Sequence, residues 1–425
     1  MALHAESWLR RIVLGLLLFL PTTPLSKPPL NPHIMVNAHV WTALTALLAA
    51  STTTTSALDK ELYGVNYDLR QGPDWDPAKC KNAKTIASEL KVLSTITKNV
   101  RTYSLADCDV TPVIKSAKEL GLTVWLGVWI SGESKVFEAE VETMKELIKA
   151  GLIDDNIVGF NVGSEAVYRK DVTAEQAIAD LTEFKKLLKD NDLAQPVSIT
   201  DIVDVMLQYP EMIEAGDVVT VNQFPFWEKM DVKAAAAQFR KRIQPLLSLA
   251  GKKEVIISET GWASAGKNEN ASDATPESSA RYLNDFYLVA EEEKWKYYYF
   301  QAFDSPWKAQ IPGEEDTVEG GFGIFDKDGV MKPEFGDLKI SPREDTITDV
   351  GSASSDGAAG TAGTNGQTAS SGNGAVHASS GSGASGTNSN SNKSSNKSPS
   401  PSSAVSVATA MSAVLVALSA ALVQL

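Results

Sequence analysis

The feature that most constrains this chain is an eightfold alternation. Strand-like runs stand at LYGVNY (62–67), NVRTYS (99–104), TVWLGVWI (123–130), IVGFNVGSE (157–165), PVSIT (196–200), VVTVNQF (218–224), EVIISET (254–260) and YYYFQAF (297–303). Helical patterns intervene, as in CKNAKTIASELKVLSTIT and SSARYLNDFYLVAEEE. Strands separated by helix-length crossovers pair in parallel and wind right-handed. Eight such units in roughly 240 residues predict an α/β fold, a (β/α)8 TIM barrel. A doubly wound open sheet is the other architecture with this rhythm. Against it, no GxGxxG follows the first strand.

The two ends of the chain read differently. Apolar runs at 10–21 and 40–50 are each too short to span a membrane comfortably and each resembles a signal-peptide core. The stretch from Met35 to Ala57 reads as a complete signal peptide, with cleavage near Ala50 or Ala57 and a mature start near Leu58. On that reading the first 34 residues are an upstream extension; on the alternative, the first run is the working signal or an anchor. Residues 346–403 are dominated by Ser, Gly, Ala, Thr and Asn, too few apolar groups to fold, and predict a flexible O-glycosylated stalk. The apolar run 404–425 follows a polar spacer and small residues, the pattern of a GPI-anchor signal, with attachment at Ser391 or Asn392. An ordinary tail-anchor helix is the other reading. The expected organisation is therefore extension and signal (1–57), barrel (58–345), linker (346–403) and anchor signal (404–425). Asn270, Asn392 and Asn396 each open an N-glycosylation sequon.

Composition removes several chemistries. The formal charge is −14 and the barrel segment has no long basic cluster, so nucleic acid is not an expected partner. The four histidines are His4, His33, His39 and His377, all outside 58–345. That excludes Ser-His-Asp and Cys-His catalysis there, and the common zinc sites. No metal or organic cofactor is expected. In a secreted chain the two cysteines, Cys80 and Cys108, are expected to pair, the alternative being two buried thiols.

A barrel enzyme builds its site at the carboxyl ends of its strands. Here the fourth strand delivers Glu165 and the seventh Glu259. Strict alternation groups Gly159, Asn161, Gly163 and Glu165 on one side of the fourth strand, and Val255, Ile257 and Glu259 on one face of the seventh. Two facing carboxylates suit glycosidic cleavage: one, kept protonated, gives its proton to the leaving oxygen, while the other attacks the anomeric carbon. Either Glu alone would read as a solvated or ion-paired surface residue. Aromatics gather at the same strand ends: Tyr67, Tyr103, Trp129, Tyr168, Phe224, Phe226, Trp227, Trp262 and Trp307. Their flat faces suit the CH-rich faces of pyranose rings, although packing claims some of them. Trp227, Trp262 and Trp307 are the stronger candidates for sugar contact. Arg101 and Tyr103 share a face of the second strand and are placed to orient the nucleophile. Asn222, Gln223 and Asp304 end the sixth and eighth strands and are candidates for holding a hydroxyl.

Together, VRTYSLADC, LGVWISG, NVGSEAVYR, VNQFPFWE, VIISETGWASAG and FQAFDSPWK resemble family 17 glycoside hydrolases, over about residues 62–335. The resemblance implies a retaining barrel enzyme with Glu165 as acid/base, Glu259 as nucleophile and β-1,3-glucan as substrate. The chain departs from the wider clan in having Ser164, not Asn, before the acid, and from the plant branch in having Ala263, not Pro, after the ETGW tryptophan. The VGSE form is similar to the fungal wall-enzyme branch.

The expected protein is thus a cell-surface glucan endo-1,3-β-glucosidase, secreted and GPI-anchored near Asn392. Three alternatives stand beside it: a glucanosyltransferase using the same two Glu residues, a barrel glycosidase acting on β-1,4-glucan or mannan, and a non-catalytic wall-binding glycoprotein. The sequence leaves the oligomeric state open.

Overall fold

The computed structural model describes residues 58–350. The expected signal segment, almost all of the linker and the anchor signal lie outside them.

Eight parallel strands close into a barrel in sequence order. They are β1 (Leu62–Asn66), β2 (Thr97–Arg101), β3 (Thr123–Val128), β4 (Ile157–Ser164), β5 (Val197–Ile202), β6 (Val219–Asn222), β7 (Val255–Thr260) and β8 (Lys296–Tyr299). The principal crossover helices are α1 (Ala83–Leu93), α2 (Thr111–Leu120), α3 (Ser134–Lys149), α4 (Ala174–Asp190), α7 (Val232–Ala250) and α8 (Pro276–Glu293). After β5 the crossover is two short helices, α5 (Val203–Gln208) and α6 (Pro210–Ala215). Local sequence sets the helix starts. Asn82 caps α1 by accepting from the amides of Lys84 and Thr85, and Thr173 caps α4 through Gln176. Thr275 caps α8, whose first residue is Pro276.

The barrel interior has two levels. At the amino ends of the strands, Trp125, Ile256 and Tyr298 form a small apolar cluster. Gly64 and Gly159 make room for it: a Cβ at either would lie 2.6 Å from the Tyr298 ring or 2.4 Å from the Trp125 ring. Above it the lining turns polar. The Asn161 amide donates to Ser198 Oγ and Thr220 Oγ1, both at 2.8 Å, and Asn66 donates to the Ser258 and Tyr298 carbonyls. Such groups stay buried because each finds a partner.

Strict alternation does not hold where the site is built. In β7 it is Ile256 that enters the barrel cluster, while Ile257 joins the core beneath the helices. The pairing register then shifts between Ile257 and Glu259 against β6, and between Ile257 and Thr260 against β8. In β4 the register shifts between Val162 and Ser164. Gly163 and Glu165 there take left-handed φ values of 76° and 58°. The expected grouping of Gly163 with Glu165, and of Val255 and Ile257 with Glu259, is therefore corrected: an irregularity at each strand end re-aims the side chains that follow. Several strands also end sooner than their apolar runs. β2 stops at Arg101 and β8 at Tyr299, so Tyr103 and Asp304 stand on loops.

Candidate active site

Glu259 is buried at the end of β7. Its Oε1 accepts from Arg101 Nη1 at 2.7 Å and from Ser164 Oγ at 3.2 Å. Arg101, on β2, spends its remaining donors locally: Nη1 also reaches Asn66 Oδ1 at 2.8 Å, Nε reaches Asn161 Oδ1 at 3.1 Å, and Nη2 reaches Ser164 Oγ at 3.2 Å. The polar lining of β1 and β4 thus fixes one guanidinium, and the guanidinium fixes Glu259. Beneath it lies Tyr103, whose ring centre is 5.0 Å from the guanidinium carbon. The Tyr103 hydroxyl is buried without a hydrogen-bond partner, and burial together with the Glu259 charge pushes its pKa well up.

Glu165 follows the last residue of β4. Its Oε1 accepts from Asn222 Nδ2 at 2.8 Å, and the same amide nitrogen lies 3.4 Å from Ser164 Oγ. Asn222 Oδ1 in turn accepts from Ser258 at 2.7 Å. Burial, then the negative charge of Glu259, raises the Glu165 pKa to about 7, against the opposing hydrogen bond from Asn222. One carboxylate therefore has a permanent cation against it, while the other is held near neutrality's edge by a dry setting and a like charge. A pair of carboxyl groups so differentiated can serve as nucleophile and proton donor side by side.

Around this pair, carboxylates tie neighbouring rim loops together. Asp201, at the end of β5, accepts the Val167 and Tyr168 amides of the loop after β4, and burial pushes its pKa to about 6. Glu140, buried on α3, accepts the Leu105 amide at 2.7 Å and the Ser104 hydroxyl, so it holds the loop after β2. Asp107, on that loop, accepts from Arg70 and Lys79 of the loop after β1, and the Cys80–Cys108 disulfide joins the same two loops.

The aromatic candidates divide. Trp129 is half-buried beneath the Arg169 guanidinium, 4.9 Å from its ring centre, and Tyr168 beside it is exposed. Phe224 and Trp227 both pack against Phe322, and Phe224 also against Phe300, in a partly open aromatic wall. Trp307 is almost fully buried, with an indole N–H that has no partner. Trp262 is a correction: it is 1% exposed, packs between Phe226 and Tyr282, and gives its N–H to the Asp273 carbonyl. It is core, not sugar platform. Asp304 also stands apart from the Glu pair, bound to Lys332 at 2.9 Å and to the Gly323 amide. Gln223 donates to Glu228.

Asn66, Asn161 and Asp201 were not singled out from sequence as site residues, and Ser164 was noted only as a departure from the wider clan's Asn. A signal existed for the first two: each is a polar residue in an otherwise apolar strand run. Glu140 gave none, because on an amphipathic helix it reads like its exposed acidic neighbours. Among the described residues, no group of three or more His, Cys, Asp or Glu is placed to hold a metal ion, and no helix is long and apolar enough to cross a membrane.

Comparison with known proteins adds independent information. The model of the BtgE/BtgC glycoside hydrolase domain matches residues 64–323. The probable glucan endo-1,3-beta-glucosidase btgC of Aspergillus terreus is 28% identical over 306 residues, covering 66% of this chain and 45% of that protein. This chain thus matches less than half the length of that relative. The glucan 1,3-beta-glucosidase of Candida albicans is 28% identical over 273 residues, covering 60% of this chain and 88% of the relative. Among solved structures, an active-site mutant of the Rhizomucor miehei beta-1,3-glucanosyltransferase in complex with laminaritriose superposes with a TM-score of 0.57 at 28% identity, covering 66% of this chain and 97% of that one.

Proposed function

This chain belongs to the BtgE/BtgC glycoside hydrolase domain family, of the fungal type within family 17, and on that footing we propose that it is a retaining glycosidase acting on β-1,3-glucan. The observation that carries the reading is the shared network of the two carboxylates: Glu259 on Arg101 and Ser164, Glu165 on Asn222, and Asn222 within 3.4 Å of Ser164. Glu259 attacks the anomeric carbon, forming the glycosyl–enzyme ester, as Glu165 gives its proton to the departing glycosidic oxygen. Glu165, now ionised, takes a proton from water, whose oxygen displaces Glu259 and restores both groups. Trp129, Tyr168, Phe224 and Trp227 are the residues we assign to sugar contact; Trp307, 4% exposed, is not among them.

A second reading is transfer, favoured by the Rhizomucor miehei glucanosyltransferase likeness. The chemistry differs only in the second step, where a glucan hydroxyl replaces water. The purified protein, incubated with a β-1,3-gluco-oligosaccharide of single length, decides between them, with Glu259→Gln as control. Shorter products alone mean hydrolysis; products longer than the substrate mean transfer. No change in chain length removes both readings and leaves a glycosidase of β-1,4-glucan or mannan, which a panel of polysaccharides would reveal, or a wall-binding glycoprotein.

The fungal relatives support an extracellular or cell-wall setting. The composition of 346–403 and the apolar run 404–425 support a glycosylated stalk and a GPI anchor near Asn392. Release of the protein from cells by a phosphatidylinositol-specific phospholipase is the expected result; retention contradicts the anchor.

A further inference from the structure

Trp75 is 61% exposed, at the tip of the loop between β1 and α1. A single exposed aromatic is ordinary, but this one stands on an unusually braced mount. The arms of the loop pair as an antiparallel ladder, with the Gln71 amide on the Lys79 carbonyl and the Lys81 amide on the Leu69 carbonyl. The Asp76 amide closes a turn onto the Pro73 carbonyl, with Asp74 and Trp75 at its centre. Arg70 Nη2 holds Asp74 at 2.8 Å, Arg70 and Lys79 both hold Asp107, and Cys80 is bonded to Cys108. Every neighbour of Trp75 is tied down while its own ring projects into water.

The chemistry of the tip narrows the ligand. Arg70 and Lys79 pair with Asp74 and Asp107, while Asp76 accepts the Ala78 amide, so these five side chains leave one net negative charge. That disfavours anionic lipid surfaces and nucleic acid, which need the opposite sign. A neutral ligand with flat CH-rich faces and peripheral hydroxyls fits an indole flanked by carboxylates. The position fits as well. The loop leaves the carboxyl end of β1, on the face that carries Glu165 and Glu259, and β1 pairs with β2, the strand of Arg101.

Resting on the β-1,3-glucan reading above, we infer that Trp75 is a remote glucan-binding platform, stacking on a glucosyl unit of a long chain several sugars away from the bond being broken. Its rigidity means that no loop ordering opposes the contact on binding. A short oligosaccharide held at the carboxylate pair does not reach it; a polymer does.

The test compares Trp75→Ala with the wild type on a long soluble β-1,3-glucan and on the shortest oligosaccharide the wild type turns over, alongside retardation in gels containing the polymer. The expected result is a KM raised about threefold to tenfold on the polymer with kcat retained, unchanged kinetics on the oligosaccharide, weaker gel retardation, and partial recovery by Trp75→Phe. Equal kinetics and retardation for both proteins overturn the inference, as does an equal loss on both substrates. A wild type that neither binds nor processes the polymer removes the substrate reading itself, a failure visible without the variant.

Discussion

Arg101 Nη1 sits 2.7 Å from Glu259 Oε1, and neither side chain is more than 8% exposed. An ion pair buried this deeply is held by its surroundings, since desolvating two charges offsets much of their attraction. Here Asn66, Asn161 and Ser164 take the other guanidinium donors. Arg101→Met removes the cation and strands Glu259. The expected loss is about 3–5 kcal/mol of stability, with turnover abolished. Adding Glu259→Gln to that variant should restore part of the stability, read by chemical denaturation as a double-mutant cycle. Strict additivity would show that the two groups are not coupled.

The two carboxylates are distinguishable by leaving group. Glu165→Gln should lower kcat/KM on β-1,3-glucan by about 100- to 10,000-fold. It should cost far less in the first step on an aryl β-glucoside whose phenolate departs without a proton. Glu259→Gln should be inactive on both. Equal losses for Glu165→Gln on both substrates would contradict its role as acid.

The pH profile follows from Glu165. In the acid role proposed for it, Glu165 must be protonated, and burial with the Glu259 charge raises its pKa to about 7. kcat/KM should therefore fall about tenfold per pH unit above roughly pH 7. The Asn222 amide stabilises the ionised form, so Asn222→Ala should move this limb to higher pH; a shift to lower pH would contradict the geometry. Removing the Glu259 charge by Glu259→Gln should lower the Glu165 pKa, measurable by carbon NMR titration of its carboxyl.

Stability should decline as the pH rises from about 4.5 to about 7. Burial lifts the Glu140 pKa from 4.5 to about 7, against the hydrogen bonds of Ser104 and the Leu105 and Ala106 amides. Between those values the folded state binds more protons than the unfolded state, so stability is fully present below about pH 4.5 for this group and is lost towards pH 7. The shift corresponds to about 3 kcal/mol at most. Glu140→Gln should flatten the pH dependence of Tm between pH 5 and pH 8, although it lowers Tm throughout by unbalancing the amides it meets.

Fold and carboxylate pair were legible in sequence for one reason: a barrel writes its strands as separate apolar runs and its chemistry at their ends. The same logic overreached at Glu165 and Glu259. Both were reached by assuming unbroken alternation, whereas the pairing register slips just before each. A period-two count cannot register a slip of one residue. Trp262 was misread because nothing in ETGW distinguishes a ring facing the cleft from one packed on Phe226 and Tyr282. Asp201 and Glu140 were missed because their partners are main-chain amides, which carry no sequence signature.

These ties run around the mouth like clasps on a hoop. Asp107 with the disulfide joins the first loop to the second, Glu140 joins the second to α3, and Asp201 joins the fourth loop to β5. An opening clasped in this way is a fixed aperture and not a closing hand. The conformational burden then falls on the proposed glucan, which must fit the mouth as it stands before either carboxylate can reach it. Flexible glucans would pass through such an aperture more readily than stiff ones, whatever their affinity for its walls.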